Sequence, residues 1–165
     1  VGTPCQILAV RKLQSSHFKH GRALFLNIGL FCTECFTYDG LIKGKIEGEM
    51  GLDLGDIEKM NIKRKLLIQM NTGEVHEMPL KEAKRFAEPS CLRCHDFSAD
   101  LADISCGGVG LDGWTFTVIR TERGSEVFGS AVRKGLLEVR PVRDFPSSMK
   151  ILNRLSESKR KRSEA

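Results

Sequence analysis

The cysteines are the residues of this sequence whose types and spacing could do chemistry. Cys91 and Cys94 form a C-x-x-C pair in the run PSCLRCHDF. A tight turn at this spacing brings both sulfurs to the same side of the backbone, where they can bind one metal or cluster. A second pair, Cys32 and Cys35, has the same spacing in the run FCTECF. The chain has six cysteines in total, and the two pairs predict metal or cluster chemistry.

Two further kinds of centre fit these residues. Cys91, Cys94 and His95 match the c-type haem attachment pattern, in which both thiols bond the porphyrin and the histidine binds iron. Chance readily produces so short a match, and haem leaves the remaining cysteines without a role. The two C-x-x-C pairs together would also suit a zinc-stabilised module that binds nucleic acid or protein. However, they lie much farther apart than the roughly 15 to 20 residues typical of zinc sites.

The first cysteine follows a predicted helix start. Thr3 can cap the helix, Pro4 suits its first position, and Gln6 completes a capping box. Cys5 then lies in the first turn, where free backbone N–H groups and the helix dipole favour a thiolate. The alternative for Cys5 is a small buried side chain under the helix start. The residues alone leave both interpretations open.

The elements that must position these cysteines indicate an α+β (mixed α/β) fold, with a central mixed sheet, flanking helices and a cluster-binding C-x-x-C loop. Residues 23–32 are apolar on both faces, as is typical of a central strand, and Cys32 lies at its end. Asn71, Thr72 and Gly73 predict a hairpin turn. The other predicted helices span 4–14, 38–50, 56–60, 80–87, 126–134 and 149 onward, and the other strands span 61–70, 75–78, 102–105, 114–119 and 136–142.

A glycine-rich run, Gly107-Gly108-Val109-Gly110, lies between two of these predicted strands. A Rossmann fingerprint needs a helix after its glycines, so this run is not one. Glycines between strands either allow a flat ligand to approach the backbone or make a turn, and the residues alone favour the turn.

Composition limits the function classes. A chain of 165 residues can bury a core, and no apolar run reaches the roughly 18 to 20 residues that a membrane helix needs. The cysteine content favours cluster ligation in a reducing compartment, which we expect to be the cytoplasm. The net charge of +5 owes much to the basic run at 159–162, which is more typical of a solvated helix end than of a nucleic-acid patch.

The order of the predicted elements also indicates the domain organisation. We expect residues 1–150 to form one domain and residues 151–165 a terminal helix with a basic tail. Position 1 is Val rather than Met, and Val1-Gly2-Thr3 looks like the end of a strand that runs into a helix. We therefore expect a preceding segment to be absent from this sequence.

Four linked runs carry a family resemblance: VGTPCQILAVRKLQ, then IGLFC followed by TECF, then CLRCHDFSADLADIS, and then GGVG with DGWTFTVIRTERG. They cover most of residues 1–142. In order and spacing the chain resembles the C-terminal region of the beta-subunit family of coenzyme F420-reducing hydrogenase and F420-dependent formate dehydrogenase. Related chlorophyll-pathway reductases share this module and reduce other substrates.

The resemblance implies an iron-sulfur flavoprotein that passes electrons between a 4Fe-4S cluster, FAD and coenzyme F420. It implies other subunits of a hydrogenase, formate dehydrogenase or related redox complex as partners, with no nucleic acid and no transmembrane segment. No side chain is expected to act as a catalytic acid or base, because the cofactors carry the chemistry.

Carried over residue by residue, the resemblance selects Cys5, Cys32, Cys91 and Cys94 as cluster ligands, four being the number that a cubane takes. Cys35 and Cys106 stand where the family usually has other residues, so they are expected to be bystanders, unless a local variation exchanges Cys32 for Cys35. His95 falls at a variable position, which weakens the haem interpretation. The residues expected to line the flavin are Thr3, Gln6, Ser105, Gly107 and Gly110.

Overall fold

The structure is a computed structural model that describes residues 1–16, 21 and 23–164. Ala165, the last residue of the predicted tail, lies outside the described residues. The chain forms two compact units: unit 1 comprises Val1–Thr33 and Arg93–Ala165, and unit 2 comprises Glu34–Leu92. Each unit combines helices with a three-stranded sheet. The predicted α+β fold class is therefore confirmed.

The elements occur in the following order. The described strands are β1 (Ile28–Leu30), β2 (Ile57–Lys63), β3 (Lys65–Met70), β4 (Val75–Pro79), β5 (Ile104–Gly107) and β6 (Phe116–Ile119). The described helices are α1 (Pro4–Ser15), α2 (Leu80–Ala83), α3 (Glu122–Arg133) and α4 (Pro146–Glu164), with a π-helix over Tyr38–Glu49 and short 3-10 helices over Leu54–Asp56, Lys84–Phe86, Pro89–Arg93 and Val142–Asp144. None of these helices is both long enough and apolar enough to cross a bilayer.

The sheet of unit 1 has the strand order β1-β5-β6. β1 and β5 are parallel, with Leu30 opposite Cys106, and β5 and β6 are antiparallel, with Gly107 opposite Phe116. Packed against the sheet is a small core that includes Phe97, Val109, Phe116 and Leu152. The last of these lies on α4, so the terminal helix is part of this unit's core.

The predicted central strand over 23–32 is wrong in both length and place. Only Ile28–Leu30 form a strand, and β5 rather than β1 lies in the middle of the sheet. Upstream, Phe25 is 64% exposed, and its ring stacks on the guanidinium of Arg123. An apolar run was insufficient to predict burial here because β1 is an outer strand of this small sheet.

Unit 2 carries the sheet β2-β3-β4, all of whose pairs are antiparallel. The residues predicted as one strand over 61–70 are extended but belong to two strands, because Lys63 pairs with Lys65 across Arg64, which has a φ of 61°. The chain therefore folds back at this point, and the predicted helical turn over 56–60 belongs largely to β2. The predicted hairpin turn at 71–73 is confirmed, with a φ of 86° at Gly73.

The predicted helix over 38–50 is present as a π-helix. Its two fully buried side chains, Leu41 and Ile46, are five positions apart, which matches the i to i+5 repeat of this helix type. A Cβ at Gly40 would lie 2.9 Å from the ring of Phe86, so glycine is needed for this close packing. Gly40 thus serves the packing of the helix against Phe86.

The predicted strand over 136–142 is wrong. These residues are irregular, and Leu136 is 72% exposed. The preceding helix α3 begins at Glu122, several residues earlier than predicted, because the hydroxyl of Thr121 accepts a hydrogen bond from the N–H of Gly124 and caps it.

Asp103 connects the start of β5 to two helices and to the chain before β1. Its buried carboxylate accepts hydrogen bonds from the N–H of Asn27 at 2.7 Å, the hydroxyl of Thr121 at 2.9 Å and the guanidinium of Arg11 at 3.0 Å. Burial by itself raises the pKa of Asp103, but these hydrogen bonds outweigh it and hold the pKa below its ordinary value. The carboxylate therefore stays ionised as the central acceptor of unit 1.

We expect Asp103→Asn to lower the free energy of unfolding by about 3 kcal/mol near neutral pH, because buried donors lose an ionised acceptor. The folded-state pKa is depressed, so the contribution is complete above the unfolded pKa of about 3.9 and disappears as the pH falls through the lower folded pKa. Denaturant unfolding should thus show a smaller difference between wild type and variant at about pH 3 than at about pH 7. Exposed Asp144→Asn is the control, and an equal difference at both pH values would contradict this role of Asp103.

Candidate functional site

Two of the predicted cluster ligands lie at one edge of the unit 1 sheet. Gly2 forms a parallel bridge with Gly29 of β1, held by two backbone hydrogen bonds of 2.9 Å. Because the two segments run in the same direction, they end at the same edge. Helix α1 begins there with Cys5 in its first turn, and Cys32 follows the end of β1 at that edge.

A third predicted ligand, Cys94, lies on a loop that is hydrogen-bonded to the backbone of Cys32. The N–H of Cys32 donates to the carbonyl oxygen of Phe97 at 2.9 Å. Within the loop, the Cys94 Sγ lies 3.6 Å from the carbonyl oxygen of Asp96, and the Asp96 carboxylate accepts from the N–H of Asp100 at 2.9 Å. The structure therefore brings Cys5, Cys32 and the Cys94 loop to the same part of unit 1.

Cys5 is exposed, so the alternative of a buried cysteine under the helix start is wrong. The side-chain oxygen of Gln6 accepts the N–H of Thr3 at 2.8 Å, which confirms that part of the predicted capping box. The Thr3 hydroxyl lies 3.2 Å from the Cys5 Sγ. The helix start therefore fixes the Cys5 backbone and leaves its sulfur accessible.

The fourth predicted ligand, Cys91, belongs to unit 2, where its sulfur accepts a hydrogen bond from the backbone of Cys35. The backbone N–H of Cys35 donates to the Cys91 Sγ at 3.3 Å. Glu88 joins the two segments, since its N–H donates to the Cys35 carbonyl and its carbonyl accepts from the Cys91 N–H. N–H groups that donate to cluster sulfurs are a known means of tuning iron-sulfur centres. Cys35 thus touches a predicted ligand through its backbone.

Cys106 is a half-buried cysteine on β5. Burial raises the pKa of its thiol above the ordinary value, which disfavours the thiolate that a metal needs. His95 of the haem pattern is exposed. That Cys35 and Cys106 are bystanders stays a prediction.

A single-metal site is the arrangement that the zinc interpretation needs. Among residues 1–16, 21 and 23–164, no group of three or more His, Cys, Asp or Glu side chains is placed to hold a metal ion. A zinc ion requires its ligands to converge at about 2.0 to 2.3 Å, whereas a cubane binds each thiolate at a different iron. The described residues thus give no support to zinc, and the cubane ligand set stays a prediction.

The five residues predicted to line a flavin all have roles within unit 1. Thr3 and Gln6 form the helix cap described above. Ser105 is fully buried, and its hydroxyl accepts from the Arg120 guanidinium at 3.2 Å. A Cβ at Gly107 would lie 2.6 Å from Phe31, and Gly110 has a φ of 76°. Their contact with flavin stays a prediction.

A cavity of about 520 Å³ was missed by the sequence analysis. Its walls combine apolar and aromatic side chains with polar ones such as Thr115 and Glu138, and the Arg140 guanidinium lies 4.3 Å above the ring of Trp114. The lining includes Leu111, Gly113, Phe116, Phe128, Leu137 and Val139. Two signals could have indicated it. The chain's single tryptophan lies shortly after the glycine-rich run, and the exposed apolar residues Leu137, Val139 and Val142 form one wall instead of a strand.

The basic run at 159–162 is only in part the solvated helix end that was predicted, because Arg160 and Lys161 are exposed whereas Lys159 and Arg162 are not. Lys159 is only 4% exposed, and its ammonium donates to the carbonyl oxygen of Cys32 at 2.6 Å. Arg162 donates to the carbonyl oxygen of Thr33 at 2.9 Å. The end of α4 is therefore attached to the segment that carries Cys32.

Comparisons with known proteins agree on one family. Residues 1–144 match the family model that describes the C terminus of the coenzyme F420 hydrogenase/dehydrogenase beta subunit. The chain is 36% identical to the coenzyme F420 hydrogenase subunit beta of Methanococcus voltae, over 99% of this chain and 59% of that protein. It is 42% identical to the coenzyme F420-dependent sulfite reductase of Methanocaldococcus jannaschii, over 77% of this chain and 22% of that protein.

A solved structure gives the same result. A chain of the F420-reducing [NiFe] hydrogenase complex from Methanosarcina barkeri superposes with a TM-score of 0.92 at 33% sequence identity, over 99% of this chain and 57% of that one. The chain thus spans a little more than half the length of the beta subunits that it matches.

We expect Cys91→Ser and Cys5→Ser to lose most of their iron after anaerobic reconstitution, because each removes a predicted thiolate ligand. Cys35→Ser should retain it, because that change preserves the backbone N–H which donates to the Cys91 sulfur. Iron and sulfide per chain are the measurement, with the half-buried Cys106→Ser as the matched control. If Cys35→Ser loses iron and Cys91→Ser retains it, Cys35 rather than Cys91 is the ligand and the prediction is wrong.

Proposed function

Because the chain belongs to the coenzyme F420 hydrogenase/dehydrogenase beta-subunit family, as its C-terminal region, we propose that it is the cluster-carrying part of an oxidoreductase subunit. The subunit passes electrons between a 4Fe-4S cluster, FAD and coenzyme F420. The observation that carries this proposal is the placement of Cys5, Cys32 and the Cys94 loop at one edge of the unit 1 sheet.

The residues present fit an iron-sulfur cluster in donor chemistry. Cys5, Cys32, Cys91 and Cys94 would hold it through four sulfurs, on side chains that are exposed or half-buried. Within the described residues, Oδ1 of Asp96, beside Cys94, is buried without a hydrogen-bond partner. This oxygen needs a donor, which the sulfurs of a cluster do not supply, so it adds nothing to the fit.

The residues of unit 1 also fit one side of a flavin. The run from Gly107 to Gly113 leaves β5 and leads into the wall of the cavity beside Trp114. A cavity of this volume is within the usual range of about 300 to 1,000 Å³ for small-molecule sites. We propose that Gly107 and Gly110 let the backbone approach the flavin while Thr3, Gln6 and Ser105 hold the neighbouring helix and strand ends in place.

When bound, a flavin beside a cluster exchanges a hydride with the deazaflavin and single electrons with the iron, so the pair converts one form of transfer into the other. The protein's part is to hold the groups and shield them. Backbone N–H groups, such as that of Cys35, stabilise negative charge on sulfur. The cap at Thr3 and the β1 bridge at Gly2 keep the Cys5 segment rigid, which limits the reorganisation that accompanies transfer.

The relatives' lengths bear on what else is needed. The beta subunits are considerably longer than this chain, and we propose that their other segment completes the binding of FAD and F420. We infer partners among the other subunits of a hydrogenase, formate dehydrogenase or related redox complex, and a location in the reducing cytoplasm. The thiolates and the cluster would persist there.

The full-length protein, reconstituted with iron, sulfide and FAD, should reduce F420 with a reduced dye, seen as loss of the deazaflavin absorbance. Residues 1–165 alone should show little turnover even when they hold iron, because donor and acceptor rings must be positioned together and half a pocket cannot do so. Equal rates for both would place the whole active site in these residues. A full-length protein that is colourless after anaerobic purification would refute the iron-sulfur assignment.

Trp114→Ala should lower the FAD content of the full-length protein several-fold while its iron content is unchanged, because the cavity loses its aromatic wall and the cluster ligands stay intact. Phe25→Ala is the matched control, since it removes an exposed aromatic ring that is likewise stacked on an arginine in unit 1. Flavin and iron per chain are the measurements. Unchanged flavin in Trp114→Ala would exclude the cavity as part of the flavin site.

A further inference from the structure

Lys159 is a buried cation on the last turns of α4, outside the residues that match the family model. The residue is only 4% exposed, although lysine is almost never so buried unless it is paired. Its ammonium donates to the carbonyl oxygen of Cys32 at 2.6 Å. Among the described residues, no carboxylate lies within ion-pair distance of it.

A buried ammonium without a counter-ion is costly, because it loses its hydration and a single carbonyl replaces only part of it. The cost falls if an anion lies nearby. The residue that accepts its hydrogen bond is a predicted cluster ligand, and a cubane held by four thiolates is an anionic group. Lys159 therefore has the burial, the charge and the contact expected of a group that faces such an anion.

The neighbouring contacts keep this end of α4 in place. Arg162 donates to the carbonyl oxygen of Thr33 at 2.9 Å. The carbonyls of Cys32 and Thr33 therefore both accept hydrogen bonds from cations of α4. Arg160 contacts the carboxylate of Asp100, which also pairs with Arg120 at 3.1 Å. The helix end therefore fixes the backbone at Cys32 as well as placing charge beside it.

We propose that Lys159 is a positioning residue for Cys32 and supplies the positive charge that raises the reduction potential of the cluster bound there. This inference rests on the proposed function. Reduction adds one electron to the cluster from the flavin or from an added reductant, and no bond to Lys159 forms or breaks. The added negative charge is stabilised by the nearby ammonium, which favours the reduced form.

A simpler role for Lys159 is to anchor α4 to unit 1. The two roles differ in what a neutral substitution changes. Loss of an anchor lowers the melting temperature and leaves the potential of an assembled cluster unchanged. Loss of a charge beside the cluster makes the potential more negative, whether or not the melting temperature falls.

The test is a redox titration of the reconstituted full-length protein, followed by the cluster's visible absorbance and by electron paramagnetic resonance, for wild type and four variants. Lys159→Met removes the charge and the donor, Lys159→Gln keeps a donor without charge, and Lys159→Arg keeps the charge. Lys161→Met is the matched control, since Lys161 is an exposed lysine on the same turn of α4. Iron per chain and melting temperature are measured on the same samples.

At a fixed applied potential, the ratio of reduced to oxidised cluster should fall about tenfold in Lys159→Met and Lys159→Gln, equal to about 59 mV for one electron. It should stay within about twofold of wild type in Lys159→Arg and Lys161→Met. If neither neutral variant assembles a cluster while Lys159→Arg does, the positioning role is supported. If Lys159→Arg also fails to assemble a cluster, positive charge at this position is not what the cluster needs, and the proposal is overturned.

A neutral variant with wild-type potential and a lowered melting temperature would overturn the proposal and leave Lys159 as an anchor. If the wild-type protein contains iron and a neutral variant gives that result, the inference about Lys159 is refuted while the proposed function stands. A wild-type protein without iron refutes the proposed function, and this inference with it.

Discussion

The buried carboxylate of Asp103 is the interaction on which unit 1 depends. It receives donors from the chain before β1, from α1 and from the cap of α3, all within 3.0 Å. An ionised group in this position must be fully hydrogen-bonded, because an unpaired buried charge would cost several kcal/mol, of order 3 to 5. The network therefore fixes the registers of β1 and α1 together, and with them the edge at which Cys5 and Cys32 lie.

Close backbone packing is the second constraint. A Cβ at Gly29 would lie 2.2 Å from the Cβ of Ala99, which itself is fully buried at a φ of 54°. The loop after Cys94 can reach β1 only because position 29 has no side chain. A positive φ in a non-glycine residue costs energy, so the packing of this loop must compensate for it. The loop that carries Cys94 is thus held against β1 by a close approach of the two backbones.

Hydrogen-bond donors and cations contact the segments that carry two of the predicted ligands, Cys32 and Cys91. The end of α4 brings Lys159 and Arg162 to the carbonyls of Cys32 and Thr33, and the Cys35 N–H points at the Cys91 sulfur. The first and third of these contacts are made to predicted ligands, and the contact of Arg162 is made to the residue that follows Cys32. An anionic cluster in a partly buried setting needs such compensation, since the low local dielectric strengthens both favourable and unfavourable charge interactions.

The sequence by itself determined the family, the α+β class, the cap at Thr3 and the hairpin turn at Gly73, because these depend on local residue types and on motif order. It also selected Cys5, Cys32, Cys91 and Cys94, although their role as ligands stays a prediction. The extent of β1, the fold-back at Arg64 and the irregular course of 136–142 were decided only by tertiary structure. In each case an apolar or alternating run suits more than one environment, and contacts with residues distant in sequence choose between them. The burial of Lys159 has the same origin, because a basic run at a helix end carries no local sign that β1 ends beside it.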